Sequence, residues 1–196
     1  MSSDNPTSGD NQQETVVPRL ELDPMWVVGF VDGEGCFSVS VHKNPHVRRT
    51  FGWQIQAAFQ VYQHERHRAV LEAMAQFFRI GRIRPKGPSS RVLTYSVWAA
   101  ADLAEVIVPF FERNPLVVKR DDFCKFAWIV RSMRQKEHLT AIGFERIARL
   151  AFSMNDQGKQ RARSLNDVLT GSSETVRRAH LYDVMIQSDP CGDIGS

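Results

Sequence analysis

Trp26-Val27-Val28-Gly29-Phe30-Val31-Asp32-Gly33-Glu34-Gly35 is an apolar run that ends in two acids interleaved with glycines. It follows Asp23-Pro24, a pair that starts helices: aspartate caps the free amides, and proline at the first helical position needs no amide donor. The helix is expected to stop at Gly33 to Gly35, because glycine ends helices cheaply. Gly29 and Gly33 lie four residues apart, on one helical face. Each costs about 0.5–1 kcal/mol relative to alanine inside a helix. Two such costs point to a gain elsewhere, and close approach of a partner helix supplies it; the alternative is a helix that frays early at Gly33.

Glu34 falls at the negative end of the helix dipole, where a carboxylate is repelled. A hard cation such as Mg²⁺, Mn²⁺ or Ca²⁺ reverses that repulsion, since the carboxylate and the free carbonyl of Gly33 are both oxygen ligands. One helix supplies one such acid. An identical helix packed through Gly29 and Gly33 brings a second, giving a two-carboxylate, multi-metal site suited to in-line displacement at phosphorus. Without a partner, Asp32 to Gly35 is simply a polar turn.

Downstream, the pattern changes to period two. Phe37, Val39 and Val41 alternate with Ser38, Ser40 and His42. After a basic loop (Lys43, His46, Arg48, Arg49), Phe51, Trp53, Ile55, Ala57, Phe59 and Val61 alternate with Gly52, Gln54, Gln56, Ala58, Gln60 and Tyr62. This predicts a long antiparallel hairpin with one apolar and one polar face. Val70, Leu71, Met74, Phe77 and Phe78 have helical spacing and precede Gly81. Arg82 to Lys86 and Val92 to Trp98 read as a second hairpin, with Leu93, Tyr95 and Val97 inward and Thr94 and Ser96 outward. A third helix runs from about Ala101 to Val108, where Pro109 is expected to end or kink it. Two further helical patterns follow, on Phe123, Phe126, Ala127, Val130 and Met133, and on Ile147, Leu150, Ala151 and Met154. The fold class expected is α+β.

The remaining features bound the picture. No apolar run approaches the ~20 residues of a membrane span, and the first eighteen residues resemble neither a secretory signal nor a transit peptide. Residues 1–18 read as a disordered arm, 19–155 as the core, 156–186 as a basic linker with a C-terminal helix starting at Ser173-Glu174, and 187–196 as a frayed tail. Net charge is +3; the arm carries Asp4, Asp10 and Glu14 and no base, which leaves +6 on the rest. A modestly basic body suits a polyanion such as DNA or RNA, though charge alone also fits a soluble protein without one. Cys36, Cys124 and Cys191 are too widely spaced for a metal knuckle or disulfide framework, which favours a reducing, cytoplasmic location.

Val27 to Gly35 resembles the LAGLIDADG motif of homing endonucleases, with the small residues at Gly29 and Gly33 and the metal-binding acid at Glu34. The string Gly29 to Phe37 is a specific match, and the similarity continues at Ala58 to Gln63, Pro109 to Phe111, Lys136 to Thr140 and Ser173 to Arg177. The last segment is similar to single-motif members of the ribosomal-RNA-intron type. The resemblance implies an αββαββα core with a four-stranded antiparallel saddle on double-stranded DNA, plus extra C-terminal helices. Since there is one motif copy, it also implies a homodimer and a nearly palindromic target. Contact between the two motif helices is then expected at Val28, Gly29, Asp32 and Gly33.

It further implies that the polar strand face reads the major groove, where Gln pairs with adenine edges and Arg or Lys with guanine. The residues concerned are Ser38, Ser40, His42, Asn44, Gln54, Gln56, Gln60, Arg84, Lys86, Thr94 and Ser96. Lys159 and Arg161 would touch phosphates or else belong to a solvated linker. Gln63 matches a polar residue that positions water at the scissile phosphate. His67 aligns with the basic residue nearby, flanked by Arg66 and Arg68, in place of the usual arginine. A second basic position falls near Val117 by ungapped counting, so that Lys119 or Arg120 takes its place. An RNA maturase acting on an intron, or a DNA-binding protein without catalysis, are the alternatives on the same scaffold.

Overall fold

The computed structural model describes residues 21–44, 46, 52–154 and 164–170. The expected arm, Lys159, Arg161, the C-terminal helix from Ser173 and the tail lie outside these residues.

Helix α1 (Pro24–Glu34) starts as its sequence dictates: the Asp23 carboxylate accepts from the amides of Met25 (2.8 Å) and Trp26 (3.3 Å). Val27, Val28 and Val31 face the core, and Met25 and Trp26 face out. The helix passes without a loop into strand β1 (Gly35–Lys43). Gly35 makes that corner possible. Its N–H still bonds to the carbonyl of Val31, and a Cβ there would lie 2.6 Å from Val31 Cγ1 and 2.7 Å from Val31 O. Any larger residue would push the helix end away from the strand.

β1 pairs antiparallel with β2 (Trp53–His64), from Gly35 opposite Val61 to Lys43 opposite Trp53. With β3 (Arg82–Pro85) and β4 (Val92–Val97) they form one four-stranded sheet in the order β1-β2-β4-β3. The odd-numbered residues Phe37, Trp53, Ile55, Phe59, Val61, Leu93, Tyr95 and Val97 are buried. Helices cover that side: α2 (Arg68–Phe78), α3 (Ala100–Asp102), α4 (Val108–Arg113), α5 (Arg120–Arg134), α6 (Ala141–Ser153) and α7 (Leu165–Thr170). An aromatic cluster joins the layers. Phe37 meets Phe59, Phe111, Phe123 and Phe126 with ring centroids 5.2–5.4 Å apart, mostly tilted or edge-on as ring quadrupoles prefer.

Of the two outcomes expected at Pro109, an end or a kink, the helix does not end; its path is distorted ahead of the proline. A π-helical stretch, Leu103–Ile107, links α3 to α4, and the Val108 amide bonds to the carbonyl of Leu103 five residues back. The wider turn ahead of the proline accommodates a ring that would clash in a regular helix, so the helical path continues to Arg113. Cys36 is a free thiol. Among the described residues, no helix is long and apolar enough to cross a membrane.

Before α6 the chain makes a tight 3₁₀ turn, Glu137–Leu139, and Thr140 caps the helix by accepting from the Gly143 amide at 3.0 Å. A Cβ on Gly143 would overlap the Glu137 carbonyl and lie 2.9 Å from Thr140 Oγ1. Gly143→Ala is therefore expected to destabilise the fold by about 1–3 kcal/mol through overpacking, read as a lower urea midpoint with an unchanged slope.

Candidate functional site

Glu34 is the last residue of α1, and its side chain is exposed. The final turn of the helix contains no base of its own. The compensating charge arrives from 86 residues away along the chain: Lys119, in the loop before α5, donates its ammonium to the carbonyls of Asp32 and Gly33, the latter at 3.3 Å. A cation on the free carbonyls of a helix end opposes the dipole. The Asp32 carboxylate answers in the other direction, accepting from the backbone N–H of Val117 at 2.7 Å and of Lys119 at 3.0 Å. Of the two candidate bases at this position, Lys119 is therefore the one seated beside Glu34, and Arg120 is exposed at the start of α5.

Around this corner lie Cys36 and Tyr62. Burial pushes the Cys36 thiol above its ordinary range; the nearby Lys119 pulls it back and Asp122 adds to the rise. Tyr62 is raised by burial first and by the Cys36 charge second. Gln63 is the penultimate residue of β2, opposite Leu93. It lies two residues past Val61, the β2 partner of Gly35, where α1 passes into β1. His67 lies in the exposed 3₁₀ turn Glu65–His67, and no hydrogen bond or ion pair among the described residues joins it to Glu34, Gln63 or Lys119. Beside it, Arg68 is engaged with Glu72 at 2.7 Å.

The even-numbered face of the sheet carries Ser38, Ser40, His42, Gln54, Gln56 and Gln60 together, as alternation requires. Several are already held: Asn44 Nδ2 donates to Gln54 Oε1 at 2.7 Å, and the Tyr62 hydroxyl donates to Gln60 Oε1 at 3.0 Å. Ser40 donates to the Gln56 carbonyl. Arg84 and Lys86 are exposed on the second hairpin, and the Lys86 ammonium sits 4.9 Å above the Tyr62 ring.

Thr94 and Ser96 depart from expectation. They point to the polar face but are only 7% and 8% exposed. In the register, Thr94 stands between Tyr62 and Arg84, and Ser96 between Gln60 and Arg82. Short side chains on a central strand are covered by long neighbours, so these two floor the surface rather than project from it. Arg82 and Tyr62 project in their place. Sequence reading left both out of the contact set, although their even parity marks the same face.

The outer side of α1 is bare. A Cβ on Gly29 or Gly33 would meet nothing within 4 Å. Trp26 and Phe30 stack beside them with ring centroids 4.8 Å apart. Val28, expected on this side, is instead only 4% exposed and belongs to the chain's own core; it lies about 100° around the helix from Gly29, toward Val27 and Val31. Asp32, expected in the same contact, is committed to the 117–119 loop.

Known proteins resemble this chain in sequence and in fold. A family model described as LAGLIDADG endonuclease matches residues 27–130. A "Probable intron-encoded endonuclease 2" of Neurospora crassa is 35% identical over 136 residues, covering 68% of this chain and 29% of that protein. The chain spans less than a third of the length of the Neurospora and Podospora relatives it matches. Among solved structures, the homing endonuclease I-TnaI superposes with a TM-score of 0.70 at 35% identity, over 79% of this chain and 100% of that one. I-SmaMI, bound to uncleaved DNA target in the presence of calcium ions, superposes with a TM-score of 0.69 at 34% identity, over 76% of this chain and 49% of that one. With more than half of its residues matched by the family model, the chain belongs to the LAGLIDADG endonuclease family.

Proposed function

We propose that two copies of this chain pair through the bare face of α1 and hydrolyse both strands of a long, nearly palindromic DNA site with a divalent cation, Mg²⁺ in the cell. The observation that carries the reading is the exposed Glu34 carboxylate at the end of a helix whose glycines are open, beside Lys119 and at one end of a polar sheet face. Its donors are all oxygens, the carboxylate and the helix-end carbonyl of Gly33, which is the set a hard divalent cation takes. The neighbouring Asp32 carboxylate is taken by the amides of Val117 and Lys119, so a second carboxylate would come from a second copy. The likeness to half of the I-SmaMI chain and the whole of the I-TnaI chain supports a unit that works in pairs.

In this reading Ser38, Ser40, His42, Asn44, Gln54, Gln56, Gln60, Tyr62, Arg82, Arg84 and Lys86 lie along the major groove. Thr94 and Ser96 support them from below. Arg and Lys also bring phosphate contacts, so binding weakens as salt rises. At the scissile phosphate the bound cation supplies Lewis-acid charge neutralisation. Glu34 and the Gly33 carbonyl would hold it, Gln63 would orient the attacking water, and Lys119 would oppose the negative charge that builds on the phosphoryl oxygens.

Selection of cut sequences from random duplex DNA in Mg²⁺ tests the proposal. One family of long, inverted-repeat sites should emerge, and EDTA should abolish cutting. DNA that is bound but never cut, or cut without sequence preference, would overturn it.

A further inference from the structure

We propose that Asp32 is a positioning residue: its carboxylate holds the 117–119 loop, and through that loop it holds Lys119 where the reaction needs it. The inference rests on the nuclease reading and adds to it a role for the first acid of the motif. Asp32 accepts two backbone amides with its two oxygens, Val117 on one and Lys119 on the other. Lys119 returns its ammonium to the backbone carbonyls of Asp32 and Gly33. Helix end and loop therefore close a ring in which each side restrains the other.

The loop has little else to hold it here. Leu116 is buried at its start, but Val117 and Val118 are 83% and 78% exposed. Lys119 is the N-cap of α5 and has no side chain that bonds its amides. The carboxylate, from another helix, holds the backbone immediately ahead of α5. The chemistry requires an acid. Two N–H donors need two acceptor oxygens, and a charged acceptor makes the stronger bonds. An asparagine would offer one oxygen and turn its own N–H₂ toward the second donor.

A double-mutant cycle on the full-length protein separates this role from a structural one. With the selected DNA site, Asp32→Asn is expected to slow single-turnover cleavage about 10–100-fold, the cost of misplacing a catalytic group by about an ångström, with the Kd for DNA unchanged. Asp32→Glu, which keeps both acceptors, should recover part of the loss. In a Lys119→Ala background, Asp32→Asn should cost nothing more, because residues acting as one unit are not additive. Amide hydrogen exchange should rise at residues 117 and 119 and stay unchanged elsewhere.

Equal losses in the two backgrounds would overturn the proposal and leave the nuclease reading intact. Loss of global stability in both Asp32 variants, with exchange rising throughout the chain, would assign Asp32 to the fold and overturn it too. An unaltered protein that cuts no DNA would overturn the nuclease reading, and this proposal with it.

Discussion

Glu34→Gln is expected to bind the selected DNA site with a Kd close to that of the unaltered protein and to cut it at least about 10³-fold more slowly, equivalent to some 4 kcal/mol of transition-state stabilisation. The substitution changes one atom and removes one charge. Glu34 is exposed, and no hydrogen bond or ion pair among the described residues uses its side chain, so folding has nothing to lose. A neutral group at the negative end of the helix should even be favoured slightly, by a few tenths of a kcal/mol. Binding is carried elsewhere, by the polar face of the sheet and its bases. Gel shifts in Ca²⁺ and single-turnover cleavage in Mg²⁺ separate the two properties. Cutting at the normal rate would remove Glu34 from the mechanism; loss of both cutting and binding would relocate it to the DNA interface.

Gly29→Leu is expected to abolish cleavage by a different route. Within one copy the new side chain meets open space, since a Cβ there has no neighbour within 4 Å. Replacing glycine inside a helix should stabilise the isolated protomer by roughly 0.5–1 kcal/mol. At a two-fold contact between α1 helices, the same side chain appears twice where backbones approach. Each would then cost about 1–3 kcal/mol of overpacking. The variant should melt no lower than the unaltered chain at low concentration, sediment at the 22.3 kDa of a single copy rather than twice that, and cut at least about 100-fold more slowly, since overpacking on that scale shifts the pairing equilibrium by powers of ten. A variant that stays paired and active would mean that the copies meet through some other surface. A helix that merely faces water would show only the gain in stability.

Much of this was legible in the residues because it depends on local rules. Asp23-Pro24 fixes where α1 begins, and twelve residues of alternation fix β2 and its two faces. Gly29 and Gly33 are brought to one surface by helical periodicity alone, and Glu34 falls at the helix end. Other features depend on tertiary context. Alternation told which way Thr94 and Ser96 point, but their burial depends on the lengths of Tyr62, Arg84, Gln60 and Arg82, which arrive from other strands. Pro109 was read by the rule for a regular helix, and the π turn before it lies outside that rule. Val28 was grouped with Gly29 by adjacency in the motif, although a helix turns it toward the core. The ring between Asp32 and Lys119 spans most of ninety residues and leaves no trace in spacing. Counting along the chain reaches Val117 and leaves Lys119 or Arg120 to take its place; the fold seats Lys119 on the end of α1.

The contact between two α1 helices is tested most directly by a covalent trap. A disulfide forms only where two Cα atoms come within roughly 4.4–6.8 Å, a separation that glycine-lined helices reach at their crossing. Gly29→Cys should give a covalent pair on mild oxidation, while the unaltered chain, with its own cysteines, should not. The trapped pair should still bind the selected DNA. If Gly29→Cys stays single under oxidising conditions in which the protein sediments as a pair, the two motif helices do not meet and the shared site at Glu34 does not exist.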